Sequence, residues 1–169
     1  FRSRTMSNRR TLVLGIGNTL LTDEGVGIHV INHLASRYQG RPNITFLDGG
    51  TLSFTHAEAV ASHDQLIVVD AAVTGGAAGN MACFEGDAMD RYLKGNRKSV
   101  HEVGLADLLD IARLSDSYPQ RRALIGIEPE SMDWGEKPSP PVAAAIPPAA
   151  DQVMALIDKW AAEEGRKSM

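Results

Sequence analysis

Thr11-Leu12-Val13-Leu14-Gly15-Ile16-Gly17-Asn18-Thr19-Leu20-Leu21-Thr22-Asp23-Glu24 is the stretch that decides the fold. Thr11 to Leu14 is a β-branched, apolar run that reads as a buried strand. The glycines behind it permit the tight turn by which a strand passes into a helix. In a dinucleotide site a third glycine would follow, and the helix N-terminus would then cradle phosphate with free N–H groups. Here position 20 is Leu, and Asp23 and Glu24 lead the next helix. Carboxylates at a positive helix end suit a cation or a cap and repel phosphate. The corner is that of an α/β site, equipped for something other than a nucleotide.

Outward from this corner, strand and helix patterns alternate along the whole chain. Gly27, Val30, Ile31 and Leu34 make the stripe of a half-buried helix. Asn43 to Asp48 reads as a second strand, Phe54 to Ser62 as a short helix, and Leu66 to Asp70 as a central strand. Past the glycine-rich turn Gly75 to Gly79, Asn80 to Phe84 is expected as a further strand. Ser99 and Glu102 fit a capping box that opens a helix striped by Leu105, Leu108, Leu109 and Ala112. Arg122 to Ile127 is the last strand, and a Pro- and Gly-rich loop spans Glu128 to Pro141. Ile146, Ala150, Val153, Ile157 and Trp160 stripe the final helix, which Pro147 and Pro148 should kink or delay. The expectation is a single α/β domain over 11–163, with a central twisted, mostly parallel sheet between helices on both faces. Residues 1–10 read as an N-terminal segment outside that domain, and 164–169 as a C-terminal tail.

Composition narrows the function. The 169 residues are 43% hydrophobic and 22% charged, with a net charge of -4 and no basic stripe. Nucleic-acid and membrane-surface binding are therefore not expected. No apolar stretch approaches the roughly 20 residues that span a bilayer. The residues before Met6 lack the apolar core of a signal peptide, so a reducing cytoplasmic setting is expected. Nothing in the chain demands more than a monomer. The single Cys83 excludes internal disulfides and reads as a buried structural thiol.

In parallel sheets of this kind, ligands bind beyond the carboxyl ends of the strands. Glu24, Asp48 and Asp70 all fall at such ends. Each residue type also caps helices and fixes turns; the convergence of three acids on one rim favours a functional reading. His101, at a helix start, is disfavoured as imidazolium there and suited to be a neutral ligand. Two carboxylates with one imidazole suit a borderline divalent ion such as nickel or zinc and leave further positions open. His29 and His33 lie opposite the apolar stripe of their helix and read as solvated. No Gly-x-Ser-x-Gly elbow, His-Glu-x-x-His helix or Walker loop supports other chemistries.

The opening motif Gly15 to Gly27 resembles that of the nickel-iron hydrogenase maturation endopeptidases. Leu47-Asp48-Gly49-Gly50-Thr51, Ile67-Val68-Val69-Asp70-Ala71, His101-Glu102-Val103-Gly104-Leu105-Ala106-Asp107 and Leu124-Ile125-Gly126-Ile127-Glu128-Pro129-Glu130 resemble further family segments in the same order. The resemblance implies removal of a C-terminal extension from the hydrogenase large-subunit precursor after nickel insertion. It implies that Glu24, Asp70 and His101 meet the metal, which is nickel supplied by the substrate; other divalent ions would suit the same ligands. Within the pair at the helix entry, Glu24 is then the ligand and Asp23 a helix cap. Asp48 is a weak candidate for a general base or orienting group, and a holder of the Gly49-Gly50 turn in the simpler reading. Two other readings stand beside this one: a nickel-binding chaperone without catalysis, and a nucleotide-binding α/β domain.

Overall fold

The computed structural model describes residues 9–50, 56–95 and 100–168, with the backbone alone for 100–103 and 167–168. Five strands form one sheet: β1 (Thr11–Gly15), β2 (Ile44–Asp48), β3 (Gln65–Ala71), β4 (Met81–Glu85) and β5 (Arg121–Ile127). Their order is β2-β1-β3-β5-β4; the first four are parallel, and β4 runs antiparallel at the edge. The helices are α1 (Val26–Arg37), α2 (Ala57–Ala61), α3 (Asp87–Gly95), α4 (Val100–Leu114) and α5 (Pro140–Ser168).

Continuous apolar runs are what a strand covered on both faces needs, because alternate side chains enter opposite layers. Val13, Ile67, Val69 and Ile125 pack beneath α1 and α5, where Leu34, Val153 and Trp160 are buried. Leu12, Leu14, Leu66 and Val68 face the other layer, with Val60 of α2, Met89 of α3 and Leu105, Leu108 and Leu109 of α4. The central place expected for Leu66 to Asp70 is the one β3 occupies.

Several local expectations are corrected. The fourth strand is shifted by one residue, to Met81–Glu85, and Cys83 on it is exposed. The cause is the strand's position: an antiparallel edge half-buries Phe84 against Tyr92 and leaves Met81 and Cys83 open. Pro147 and Pro148 do not delay the last helix, which begins at Pro140. Pro140 and Pro141 occupy a first turn that needs no N–H donors. The carbonyls that Pro147 and Pro148 leave without partners belong to exposed Ala143 and Ala144, where water can serve them.

Helix α5 also continues through 164–168, and Glu164 pairs with Arg9 at 2.9 Å. Arg10 is tied in as well, its N–H donating to Asp64 Oδ2. The fold therefore reaches beyond both expected boundaries. His29 is half-buried rather than solvated, and its Nε2 has no hydrogen-bond partner among the described residues. Phe54 and Ser99, expected in a helix start and a cap, lie outside the described residues.

Candidate active site

The strand order reverses beside β1, since β2 lies on one side of it and β3 on the other. In α/β sheets this switch point opens a crevice beyond the carboxyl ends of the strands. Gly15, the end of β1, stands opposite Asp48 of β2 and Val69 of β3, so Asp70 sits one residue further out on the rim. The chain leaving β1 is clamped between its neighbours. Ile16 N–H donates to the Val69 carbonyl at 3.0 Å, and Gly17 N–H to the Gly50 carbonyl at 2.8 Å.

Gly15, Gly17, Gly25 and Gly27 all lack room for a Cβ, Gly17 and Gly27 most of all. Gly17 has φ +144°, and a Cβ there would lie 2.0 Å from the Glu24 carbonyl oxygen. At Gly27 a Cβ would lie 2.2 Å from the Val69 carbonyl oxygen. These close approaches hold the 3-10 turn Thr22–Gly25, which carries Glu24, against β3. Asp70 is only 6% exposed, and its Oδ1 accepts the Ala71 N–H at 2.8 Å. Glu24 is half-buried.

Helix α4, on which His101 falls, packs in the opposite layer. The last turn of α4 leads through residues 115–120 into the start of β5. At 1.5 Å per residue, a helix of 15 residues spans roughly 22 Å, so its first turn stands at the end where the strands finish. The His101 side chain lies outside the described residues. Among the described residues, no three His, Cys, Asp or Glu side chains gather into a metal-holding group.

Asp48 ends β2 beside Gly15. Its Oδ1 accepts the Gly50 N–H at 2.9 Å, which fixes the Gly49-Gly50 turn. His63 is occupied by the Thr45 hydroxyl and the Ala59 carbonyl.

Two buried carboxylates organise the rim in a way the sequence did not reveal. Asp23, expected as a helix cap, is 0% exposed and reaches across to the loop after β5. Its Oδ2 accepts the Glu130 and Ser131 N–H groups and the Ser139 hydroxyl, and its Oδ1 accepts the Ser139 N–H. Burial alone would raise the Asp23 carboxyl, but hydrogen bonds from Ser131, Ser139 and Glu130 outweigh it and hold the group below the ordinary value. Glu128, 6% exposed at the end of β5, does the same for the loop after β3. Its Oε1 accepts the Thr74 N–H, the Thr74 hydroxyl and the Gly76 N–H. Burial again works upward, and Thr74 with the Gly76 and Gly75 N–H groups brings the Glu128 carboxyl below its ordinary value. The signal available in sequence was only an acid next to a strand end, which does not say where the acid points.

Asp23 thus fixes the loops around Glu24. A family model described as hydrogenase maturation protease matches residues 28–156. The chain belongs to the hydrogenase maturation protease family. This protease is 37% identical over 149 residues to the hydrogenase 2 maturation protease of Escherichia coli (strain K12), covering 88% of this chain and 90% of the relative. It superposes on the hydrogenase maturating endopeptidase HybD from E. coli with a TM-score of 0.84 at 36% identity, covering 89% of this chain and 93% of that one. It is also similar to the [NiFe] hydrogenase maturation protease HybD from Thermococcus kodakarensis, with a TM-score of 0.75, 26% identity, and coverage of 88% and 99%. The protease is accordingly a peptide-bond hydrolase of hydrogenase maturation, and the nucleotide-binding reading falls away. Among its described residues no helix is long and apolar enough to cross a membrane.

Proposed function

We propose that this protease removes the C-terminal extension of a nickel-iron hydrogenase large-subunit precursor, and that Glu24, Asp70 and His101 recognise the nickel already held by that precursor. The observation that supports the reading is the packing of the Thr22–Gly25 turn, which carries Glu24, against β3, whose end carries Asp70 beside the β1/β3 switch point. Two carboxylate oxygens and an imidazole nitrogen form a donor set suited to a borderline divalent cation. Nickel on the substrate supplies Lewis acidity for the hydrolysis, by polarising the scissile carbonyl or acidifying a water. The chain's own part is to hold complementary donors in place. A precursor without nickel brings no cation, so the carboxylates remain uncompensated and the substrate is rejected. The setting that fits this reading is cytoplasmic, with the protease acting as a monomer.

The test follows the loss of the C-terminal peptide by mass, from precursor with and without nickel. Cleavage is expected only with nickel. Asp70→Asn and His101→Ala are expected to abolish it while circular dichroism stays unchanged. Equal cleavage of the nickel-free precursor would sink the checkpoint. Tight nickel binding by the isolated protein with no cleavage at all would point instead to a nickel carrier.

A further inference from the structure

The exposed apolar surface is not spread evenly over the molecule. Among the described residues, seven large hydrophobic side chains are exposed: Leu20, Val73, Met81, Ile111, Leu114, Met132 and Trp134. Five of them stand at the end where the strands β1, β3 and β5 finish. Leu20 lies in the loop after β1, Val73 in the loop after β3, Met132 and Trp134 in the loop after β5, and Met81 begins the antiparallel β4. Trp134 is 81% exposed, an extreme value for the largest apolar side chain, and Leu20 is 52% exposed.

The segment that carries Trp134 is nonetheless held firmly. Thr22 N–H donates to the Gly135 carbonyl at 2.7 Å, and Gly135 N–H returns to the Leu20 carbonyl at 2.9 Å. The Thr22 hydroxyl donates toward the Ser131 carbonyl, with the Asp133 carbonyl also within reach. Asp23 takes the four bonds described above. Thr22 itself is held at φ 45°, which a β-branched residue rarely adopts. A preorganised loop offering an exposed Trp binds without the entropy of ordering it, and Trp is the residue type most enriched among interface hot spots.

We infer that Leu20, Met132 and Trp134 form an apolar docking platform for the precursor, seating a hydrophobic segment next to its cleavage point. The occupant follows from continuity with the catalytic crevice. Leu20 precedes Glu24 by four residues, and the carboxylate that pins the Trp134 loop belongs to Asp23, the neighbour of Glu24. Any polypeptide delivered to Glu24 and Asp70 lies beside these loops. The platform deepens the proposed function and rests on it, but its contact is independent of nickel. It reads the polypeptide, whereas Glu24, Asp70 and His101 read the metal.

The two tryptophans make a built-in test, since Trp160 is 1% exposed and bonded to Glu85. Protease labelled with fluorotryptophan is titrated with unlabelled, nickel-free precursor and followed by fluorine NMR. The Trp134 resonance is expected to shift and lose its sensitivity to a soluble paramagnetic probe, with Trp160 unmoved. The same shift is expected in Asp70→Asn, whose cleavage is expected to be lost, so failure of the nickel checkpoint and failure of the platform give different results. Kinetically, Trp134→Ala is expected to raise KM for the nickel-loaded precursor by about tenfold with kcat kept, and Trp134→Phe to restore most of the loss. Leu114→Ala, at the far end of α4, is expected to leave KM unchanged. A Trp134 signal unmoved by precursor, or an unaltered KM in Trp134→Ala, would overturn the inference. So would shielding of Trp134 that grows with protease concentration alone, which would assign the platform to a second copy of the chain.

Discussion

Removing the Asp23 carboxylate tests whether the rim is held by one buried anion. In Asp23→Ala the Glu130, Ser131 and Ser139 N–H groups lose their acceptor together. A buried orphan donor costs about 1–3 kcal/mol. Glu130 is exposed and the two serines are half-buried, so water should recover part of the loss. The low end of the range applies, and the sum is about 3 kcal/mol. For a chain of this size 1 kcal/mol moves Tm by roughly 2–4 °C, so the expected fall is about 6–12 °C. Asp23→Asn is milder, because one amide oxygen can keep the three bonds made at Oδ2 while the amide nitrogen opposes only the Ser139 N–H. About half the loss is expected there.

The pH dependence supplies an independent check. A carboxyl whose native pKa lies below its unfolded value adds stability that is fully present above the unfolded value, about 3.9, and is lost as pH falls through the native one. The gap in Tm between the wild type and Asp23→Asn should therefore be widest near neutral pH and close below about pH 4. Melting followed by circular dichroism at neutral and acid pH measures both features. A Tm for Asp23→Ala within about 2 °C of the wild type at pH 7, less than 1 kcal/mol would produce, would refute the account.

Gly27→Ala should drive its new Cβ against the Val69 and Ile16 carbonyl oxygens, which are backbone and cannot swing away. A loss at or above the top of the usual overpacking range of about 1–3 kcal/mol is expected, together with loss of cleavage as Glu24 leaves Asp70; unchanged melting and activity would contradict the close packing. Burial favours the neutral form of His29 and lowers its pKa. A lowered His pKa removes stability as pH falls below the unfolded value of about 6.5, so His29→Leu should flatten the acid side of the stability profile, and an unaltered slope would count against this. Burial first, and then the charge of Glu85, raises the Cys83 thiol above its ordinary value, against a bond from Gln152. Although exposed, Cys83 should alkylate slowly at neutral pH, and Cys83→Ala should cleave precursor normally; loss of activity with folding intact would give the thiol a role.

The sequence alone determined the framework. The unbroken apolar runs of β1 and β3 can only be strands covered on both sides, and the run over β3 belongs at the centre. Gly15 to Glu24, with Leu20 where a phosphate loop needs glycine and acids at the helix entry, already argued against a nucleotide and pointed to a carboxylate. These features were legible because they depend on local spacing and on one residue's own chemistry. What a side chain meets across the fold is decided elsewhere. Asp23 and Glu24 are adjacent acids in one turn, yet packing buries the first under the loop after β5 and leaves the second half-buried. Cys83 is exposed because its strand closes the sheet as an antiparallel edge, and Pro147 and Pro148 are tolerated because their side of α5 faces water. Trp134 read only as part of a Pro- and Gly-rich loop until hydrogen bonds to residues more than a hundred positions earlier fixed that loop against the turn Thr22–Gly25. Periodicity records which face of an element is apolar; only the tertiary arrangement sets which groups are close enough to share a proton, a carboxylate or a partner.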